Sequence, residues 1–273
     1  MIRLRSNCKI NIGLDVINRR SDGYHNLESL FYPVYGLYDE ISITERGDGD
    51  LVFSQEGIIV DCLNENNLCV RAYELLRSLY GIGGAEIKIK KNIPFGAGLG
   101  GGSSNASTVL KAANELYGIG LTEPELLAFA MELGSDTAFF IHNRPCIVEG
   151  RGDILTGSDV SLAGFFLTLV KPSFSIGTAE AYRGVKPSVP AYHIKDVIKK
   201  DVREWRHYLK NDFEEHLFKN YPQLEEIKNI LYSRGAVLAM MSGSGSTMYA
   251  LSERPLDLSG VFDNMFIFSE LIK

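Results

Sequence analysis

The stretch Pro94-Phe-Gly-Ala-Gly-Leu-Gly-Gly-Gly-Ser-Ser-Asn105 is the segment around which this chain is organised. It places five glycines within seven positions, 96–102, between a strand-like run at 85–91 and an apolar run of helical spacing at 106–117. Glycine lets a bulky ligand approach the main chain closely. The unpaired N–H groups and the dipole at a helix start favour an anion. The order strand, glycine loop, helix therefore predicts a loop that binds the phosphates of a nucleotide.

Two other glycine motifs fit this stretch less well. A P-loop requires a lysine directly before the hydroxyl residue, whereas Ser103 here follows glycine. A dinucleotide fingerprint can be laid over Gly96, Gly98 and Gly101, but the nearest acidic residue, Glu115, lies inside the predicted helix. A flexible surface turn is the remaining alternative, and the well-formed helix that follows argues against it.

Composition excludes several classes of protein. The 273 residues carry a formal net charge of -6 and a pI near 5.5, so no global positive field attracts nucleic acid or an anionic membrane. The longest apolar stretches, about eight residues, are too short to span a bilayer. The start of the chain lacks the apolar core of a signal peptide. Its four scattered cysteines predict a reduced, cytoplasmic protein without a zinc site: Cys8, Cys62, Cys69 and Cys146.

The first segment alternates strictly between apolar and polar residues. Residues 2–14 predict a half-buried strand whose polar face presents Lys9 and Asn11 two positions apart. An ordinary solvated strand face is the alternative interpretation of this pair. The loop at 18–26 then delivers Tyr24 and His25 together. An aromatic ring beside an imidazole can stack on a base and bond its edge, although packing explains such a pair equally well.

Helix signals continue along the first half of the chain. Asn67 is predicted to cap a helix that ends before Gly81, and 57–60 reads as a short strand. A capping box at 122–125 starts another helix, which stops at Gly134. Asp136 then opens a very apolar segment, where its carboxylate either caps a helix or serves in chemistry.

The pattern changes near residue 156, which predicts two domains, 1–156 and 157–273. In the second half, helices are predicted over 194–209, 212–220 and 223–233, between strands that suggest an α+β layer. A second glycine-serine loop, Met241-Ser-Gly-Ser-Gly-Ser-Thr247, is interpreted either as a hairpin turn or as a backbone nest for phosphate.

Taken together, these motifs resemble the family of galactokinase, homoserine, mevalonate and phosphomevalonate kinases. Pro94-x3-Gly-Leu-Gly-Gly-Gly-Ser-Ser is similar to its phosphate loop, and Met241-Ser-Gly-Ser-Gly to its C-terminal loop. Lys9-Ile-Asn-Ile-Gly-Leu14, Asp22-Gly-Tyr-His-Asn-Leu27 and Leu133-Gly-Ser-Asp136 match the branch whose acceptor is a methylerythritol linked to cytidine diphosphate. The resemblance implies a two-domain α+β small-molecule kinase fold, with an N-terminal ribosomal-protein-like domain and a C-terminal ferredoxin-like domain.

The same resemblance implies a reaction and its residues. The reaction is Mg²⁺-dependent transfer of a phosphoryl group from ATP to the 2-hydroxyl of the acceptor, a step of non-mevalonate isoprenoid synthesis. Asp136 would take the hydroxyl proton. Lys9 would hold the Asp136 carboxylate ionised and would steady the γ-phosphate. Asn11 would face the acceptor's hydroxyls, His25 would bond the cytosine edge, and Tyr24 and Tyr182 would sandwich the ring. The residues implied to bind ATP are Asn67, Pro94, Gly96, Ala97, Gly98, Leu99, Gly100, Gly101, Gly102, Ser103 and Ser104.

Two rival functions remain open at this point. A homoserine or mevalonate kinase would share the loop but would give Tyr24 and His25 no base to stack on. A nucleotide-binding regulator without catalysis is the other, and the presence of both Lys9 and Asp136 argues against it. One departure from the branch is Thr137-Ala138 directly after Asp136, which bears on how that carboxylate is aimed.

Overall fold

The computed structural model describes residues 1–58 and 66–273, which form two compact units. Unit 1 comprises Met1–Lys9, Pro33–Phe95 and Gly100–Arg144, and unit 2 comprises Ile10–Tyr32, Gly96–Leu99 and Pro145–Lys273. Part of the strand expected at 57–60, and Cys62, lie outside the described residues. The predicted domains, 1–156 and 157–273, are each continuous in sequence, whereas each of these units consists of three separate segments. The boundary near residue 156 stays a prediction.

Two long strands supply residues to both units: β1 (Ile2–Arg19) and β2 (His25–Arg46), which pair with each other. The expected strand at 2–14 is therefore present and longer than expected. Its half-buried character is right only for the first residues, because both faces are buried from Ser6 to Val16. Lys9 and Asn11 thus lie in the interior, not on a solvated strand face.

In unit 1, β4 (Gly84–Lys91) runs antiparallel to the end of β2 and parallel to β3 (Leu51–Gly57). Apolar residues alternate along β4, which places Ile87 and Ile89 in the core. Four helices that pack on one another complete the unit: α1 (Leu68–Tyr80), α2 (Gly101–Leu116), α3 (Glu123–Leu133) and α4 (Ser135–His142).

Helices α1 and α3 begin and end where the sequence signals place them. The Asn67 side chain accepts from the Cys69 N–H at 2.9 Å and caps α1, and Gly81 ends that helix in the left-handed conformation. The predicted capping box is present before α3, where Glu125 accepts from the Thr122 N–H at 2.8 Å. Helix α2 begins five residues earlier than its apolar pattern, so the last glycines of the loop are themselves helical.

Unit 2 contains the start of β2 paired with β5 (Cys146–Gly150), which pairs in turn with β6 (Ile154–Gly157). A second sheet is antiparallel in the order β10 (Phe266–Leu271), β7 (Phe166–Lys171), β9 (Met248–Ser252), β8 (Leu238–Met241). Helices α5 (Thr178–Gly184), α7 (Glu214–Asn220) and α8 (Pro222–Ser233) pack with this sheet around an apolar core that includes Leu217, Leu224 and Met241.

The helix expected over 194–209 is interrupted. It consists of α6 (Ile194–Val197) and a 3-10 helix over Val202–His207. Asp201 causes the break, because its carboxylate accepts from the Arg203 N–H at 2.8 Å and caps the second segment. In the part of the chain that the structure describes, no helix has the length and apolar character needed to cross a membrane.

Candidate active site

Lys9 and Asp136 meet in unit 1, although 127 positions of sequence separate them. Lys9 Nζ lies 3.3 Å from Asp136 Oδ2. The lysine side chain is only 3% exposed, whereas that of the aspartate is 36% exposed. The pair therefore joins a buried cation to a carboxylate that solvent, and hence a ligand, can reach.

Asp136 owes its position to the start of helix α4. It occupies the first turn, while the N-cap position is Gly134. Asp136 is therefore not the N-cap residue, which was the structural alternative for this carboxylate. The partial positive charge of a helix N-terminus interacts favourably with an acidic side chain in the first turn. The next residue, Thr137, is fully buried, so the departure from the family branch points away from the surface that Asp136 presents.

The last part of the glycine loop lies beside this pair. Gly100 is the N-cap of α2 and adopts the left-handed conformation, with φ 69°. A Cβ atom on Gly100 would lie 3.0 Å from the Phe140 ring and 3.2 Å from Lys9 Cε. Only glycine fits this position without displacing either neighbour. Within unit 1, the loop, the lysine and helix α4 are thus brought together.

The first backbone N–H groups of helix α2 lie at the end of the glycine loop. Its opening residues are Gly101, Gly102 and Ser103, and the first turn of an α-helix has no intrahelical acceptors for these groups. Such a terminus is suited to binding an anion. Ser104 is buried, and its Oγ lies 2.8 Å from Ser6 Oγ. Ser103 is only partly buried, so of the two serines it is the better placed to reach a ligand.

The first part of the glycine loop belongs to unit 2, where it contacts the second glycine-serine loop at 242–247. Ser242 Oγ donates to the Gly98 carbonyl at 2.9 Å, and the Thr247 N–H donates to the Ala97 carbonyl at 3.2 Å. A Cβ atom on Gly98, whose φ is 72°, would collide with the Ser242 carbonyl oxygen. The segment 242–247 is a hairpin connection, because it joins the antiparallel strands β8 and β9. It also supports the glycine loop, and its role as a phosphate nest stays a prediction.

Asn11 is held by a chain of hydrogen bonds within unit 2. Its N–H donates to Ser242 Oγ at 3.2 Å, and its Nδ2 donates to Ser29 Oγ at 3.1 Å. Ser29 Oγ donates in turn to the Gly13 carbonyl at 2.6 Å. These contacts fix which end of the Asn11 amide is the donor toward Ser29. Sequence reasoning missed Ser29, which carries no local signal of this role.

His25 and Tyr182 stack on each other in unit 2. Their ring centroids are 5.0 Å apart and their planes differ by 21°. Tyr182 also meets Phe213 edge to face, with ring centroids 4.9 Å apart. Burial, reinforced by the charge of Arg19, lowers the pKa of His25. The imidazole is therefore neutral at neutral pH and offers one donor and one acceptor.

Tyr24 lies at the surface of unit 2, with 58% of its side chain exposed. The Arg151 guanidinium lies 5.1 Å from the centre of its ring. The Asp153 carboxylate accepts from the Arg151 backbone N–H at 2.8 Å and from its guanidinium Nε at 3.3 Å, which orders the arginine. The sequence alone did not indicate the contact between Arg151 and Tyr24. The structure thus brings His25 together with Tyr182, and Tyr24 together with Arg151.

The remaining predicted nucleotide residues have structural roles visible in the fold. Asn67 caps α1, as described above, and its implied role in binding ATP stays a prediction. Pro94 lies in the segment that leads into the glycine loop, and Ala97 and Leu99 are buried. A Cβ atom on Gly96 would lie 2.6 Å from Ser175 Cβ. Among the described residues, no group of three or more potential metal ligands is clustered.

Fold and site together define a kinase for small molecules. The family model of the GHMP kinases N terminal domain matches residues 67–144, and that of the GHMP kinases C terminal domain matches residues 194–267. The chain belongs to this family, the galactokinase, homoserine, mevalonate and phosphomevalonate kinases, and is an ATP-dependent small-molecule kinase. The expected two-domain α+β kinase fold is confirmed.

Particular relatives resemble the chain over most of its length. A Bacteroides fragilis protein named 4-diphosphocytidyl-2-C-methyl-D-erythritol kinase is 44% identical over 247 residues, which is 90% of each chain. A protein of the same name from Bacteroides thetaiotaomicron is 45% identical over 249 residues, again 90% of each. The crystal structure of a 4-(cytidine 5'-diphospho)-2C-methyl-D-erythritol kinase is 32% identical, with a TM-score of 0.79 over 93% of this chain and 91% of that one.

Proposed function

We propose that this chain transfers the γ-phosphoryl group of ATP to the 2-hydroxyl of 4-diphosphocytidyl-2-C-methyl-D-erythritol, a step of non-mevalonate isoprenoid precursor synthesis. The observation that carries the proposal is the Lys9–Asp136 pair beside the glycine loop. The choice of acceptor is supported by relatives of that name that are 44–45% identical over 90% of the chain.

The chemical step assigns opposite tasks to Lys9 and Asp136. The acceptor oxygen attacks the γ-phosphorus, and the bond between that phosphorus and the bridging oxygen of ADP breaks. The hydroxyl proton passes to the Asp136 carboxylate, whose exposed surface allows an alcohol to approach. Lys9 holds the carboxylate in place and offsets charge on the transferring group. In phosphoryl transfer, positioning and charge stabilisation supply most of the catalysis.

The glycine loop is proposed to wrap the ATP phosphates. The first N–H groups of α2 would donate to phosphate oxygens, and Gly98 and Gly100 would keep side chains out of their way. We also propose that Mg²⁺ accompanies the nucleotide, as phosphoryl transfer from ATP requires charge neutralisation. Ser103 is the better protein ligand for it than Ser104, whose hydroxyl already pairs with Ser6.

Recognition of the cytidine half is assigned to Tyr24, His25 and Tyr182. A neutral imidazole matches the cytosine edge, which carries a donor and an acceptor, and the lowered pKa of His25 keeps it neutral. The stacking of His25 on Tyr182 supports the assignment of an aromatic recognition surface to these two residues. The Asn11 amide, oriented by Ser29, would bond the hydroxyls of the acceptor.

The thiols support the proposed cytoplasmic location. Cys8, Cys69 and Cys146 are small buried side chains, which suits a protein kept in a reducing compartment.

Turnover assays with ATP and Mg²⁺ test the proposal. The cytidylylated methylerythritol is compared with free methylerythritol phosphate, homoserine and mevalonate. Turnover of the cytidylylated acceptor alone is the expected result. Preferred turnover of homoserine or mevalonate would support a kinase with another acceptor and would contradict the roles of Tyr24, His25 and Tyr182 in binding a base. ATP binding without turnover of any acceptor would support a regulator instead.

A matched pair of variants tests the recognition surface. Tyr182→Leu removes the ring beside His25, whereas Tyr192→Leu removes an aromatic contact with Tyr208 elsewhere in unit 2. Since stacking on a base contributes about 1–3 kcal/mol, Tyr182→Leu should raise the KM of the acceptor roughly 10- to 100-fold and leave the KM of ATP unchanged. Tyr192→Leu should change neither constant.

A further inference from the structure

A buried charge pair, outside the residues assigned to catalysis, lies at the base of the glycine loop in unit 1. Asp39 on β2 is fully buried. Its Oδ1 accepts from the N–H groups of Asn92, at 2.7 Å, and Ile93, at 2.9 Å. Its Oδ2 accepts from Lys91 Nζ and from Asn105 Nδ2, the latter at 2.9 Å. Four donors therefore converge on one carboxylate, about the number that it can accommodate.

Asn105 extends these contacts into helix α2. Its Oδ1 accepts from Lys91 Nζ at 2.8 Å, so the amide bridges both members of the charge pair. Its Nδ2 also donates to Ser6 Oγ at 2.9 Å, and Ser6 pairs with Ser104. All these side chains are buried, which makes each bond stronger than it would be in water.

The donors to Asp39 come from the two ends of the glycine loop. Lys91 is the last residue of β4, and Asn92 and Ile93 lead into the loop. Asn105 lies in the second turn of α2, where the loop has ended. The Lys91 ammonium also lies close to the start of α2: a Cβ atom on Gly101 would be 3.6 Å from Lys91 Nζ. One carboxylate thus ties the entry of the loop to its exit.

We propose that Asp39, Lys91 and Asn105 form a positioning network that fixes both ends of the loop and thereby sets its affinity for the triphosphate of ATP. This inference rests on the proposed function of the loop. The charges of Lys91 and Asp39 cancel, so the network acts through geometry and not by attracting phosphate. A loop that is already ordered loses less conformational entropy when it binds, and this raises affinity.

The test uses two asparagines of the same helix. Asn105→Ala removes the bridge and leaves the Lys91–Asp39 pair in place. Asn114→Ala is the matched control, because Asn114 also makes two side-chain hydrogen bonds, to the Leu121 carbonyl and N–H, far along α2 from the loop. Mg·ATP affinity is measured by calorimetry without any acceptor, together with Tm and steady-state constants.

Asn105→Ala should raise the Kd and the KM of ATP about tenfold, while the KM of the acceptor stays unchanged. Asn114→Ala should lower Tm by about as much as Asn105→Ala does, without changing the Kd or the KM of ATP. If Asn105→Ala is too unstable to purify, Ser6→Ala removes one outer contact of the network and should raise the ATP Kd about threefold. Wild-type ATP affinity in Asn105→Ala, or in Ser6→Ala where it is used instead, would reduce the network to a purely structural role.

The outcomes separate this inference from the proposed function. Failure of the wild-type chain to phosphorylate the cytidylylated acceptor would overturn the proposed reaction, yet the ATP titrations would still report on the network. A wild-type chain that bound no ATP at all would overturn both.

Discussion

Lys9 with Asp136 and Lys91 with Asp39 are both lysine–aspartate pairs of unit 1, and their surroundings differ. Asp136 has one oxygen 3.3 Å from its lysine and a side chain that is 36% exposed. Asp39 is fully buried, and backbone and side-chain donors engage both of its oxygens. The first carboxylate retains surface for a new partner, and the second has none to spare.

This difference separates a reactive pair from a structural one. A general base needs an oxygen that the substrate hydroxyl can approach. A carboxylate surrounded by four donors instead holds distant parts of the chain in one arrangement, and removing its cation leaves a buried charge unpaired. The same two residue types therefore serve chemistry in one place and architecture in the other.

The largest effect is expected from Asp136→Asn. The amide cannot take the hydroxyl proton, so kcat should fall about 10²- to 10⁴-fold. Calorimetry should find ATP binding close to that of the wild type. Glu132→Gln, an exposed carboxylate of α3, is the control and should keep full turnover. A loss of less than tenfold in Asp136→Asn would make this aspartate a positioning group and not the base.

The comparison is sharpened by making one substitution in both pairs. Lys91→Met leaves Asp39 buried without a cation and should lower the free energy of unfolding by about 3–5 kcal/mol. Lys9→Met leaves a carboxylate that water can reach, so the loss should be about 1 kcal/mol, while turnover collapses. Urea titrations give both values. Equal losses in the two variants would contradict the distinction between the pairs.

Removing both charges of the structural pair should restore part of its stability. In the double variant Asp39→Asn/Lys91→Met, no unpaired charge remains, and the amide oxygen can still accept from the Asn92 and Ile93 N–H groups. We expect the free energy of unfolding of the double variant to be about 1–3 kcal/mol higher than that of Lys91→Met alone. A double-mutant cycle in urea measures this coupling, and strictly additive losses would argue against a direct pair.

A further carboxylate, Asp15 in unit 2, is buried and should make the stability of the protein depend on pH. Burial, and then the negative charge of Asp212, raise its pKa from 3.8 to about 7. Glu28 contributes to this rise, while Lys210 and His193 oppose it, and the pKa of about 7 is the net result. Because the folded pKa exceeds the unfolded one, the protein loses stability as the pH rises from about 4 to 7, and the loss is complete above 7.

Asp15→Asn removes this penalty. Relative to the wild type, the variant should gain about 1–2 kcal/mol more stability at pH 8 than at pH 5, a smaller effect than those of the charge-pair variants. Thermal unfolding at the two pH values measures the difference. A gain that is the same at both would show that the titration of Asp15 does not govern it.

Local patterns predicted the elements of the fold better than the burial of their residues. The glycine-rich stretch, the cap at Asn67 and the capping box at Thr122 were all readable, because each signal lies within a few residues. The alternation of β1 predicted a solvated polar face, yet Lys9 and Asn11 are buried. Burial of a polar face depends on segments far along the chain, which a strand pattern does not contain.

The candidate site was predictable as a set of residues but not as a set of contacts. The family resemblance supplied Lys9, Asp136 and the aromatic residues, and the structure pairs Lys9 with Asp136 and His25 with Tyr182. Sequence reasoning did not single out Asp39, which is 52 positions from Lys91 and 66 from Asn105. No local spacing rule covers such distances.

The sequence by itself determined the strand, glycine loop and helix order, the ends of helices α1 and α3, and the family to which the chain belongs. The first two follow from backbone freedom, capping and side-chain periodicity, which act over one or two turns, whereas the family follows from motifs that resemble those of its members. Tertiary structure decided which lysine–aspartate pair meets solvent and which is enclosed by donors. That outcome depends on the burial and hydrogen bonding that distant segments impose, and these forces turn one carboxylate into a candidate base and the other into an anchor for the loop.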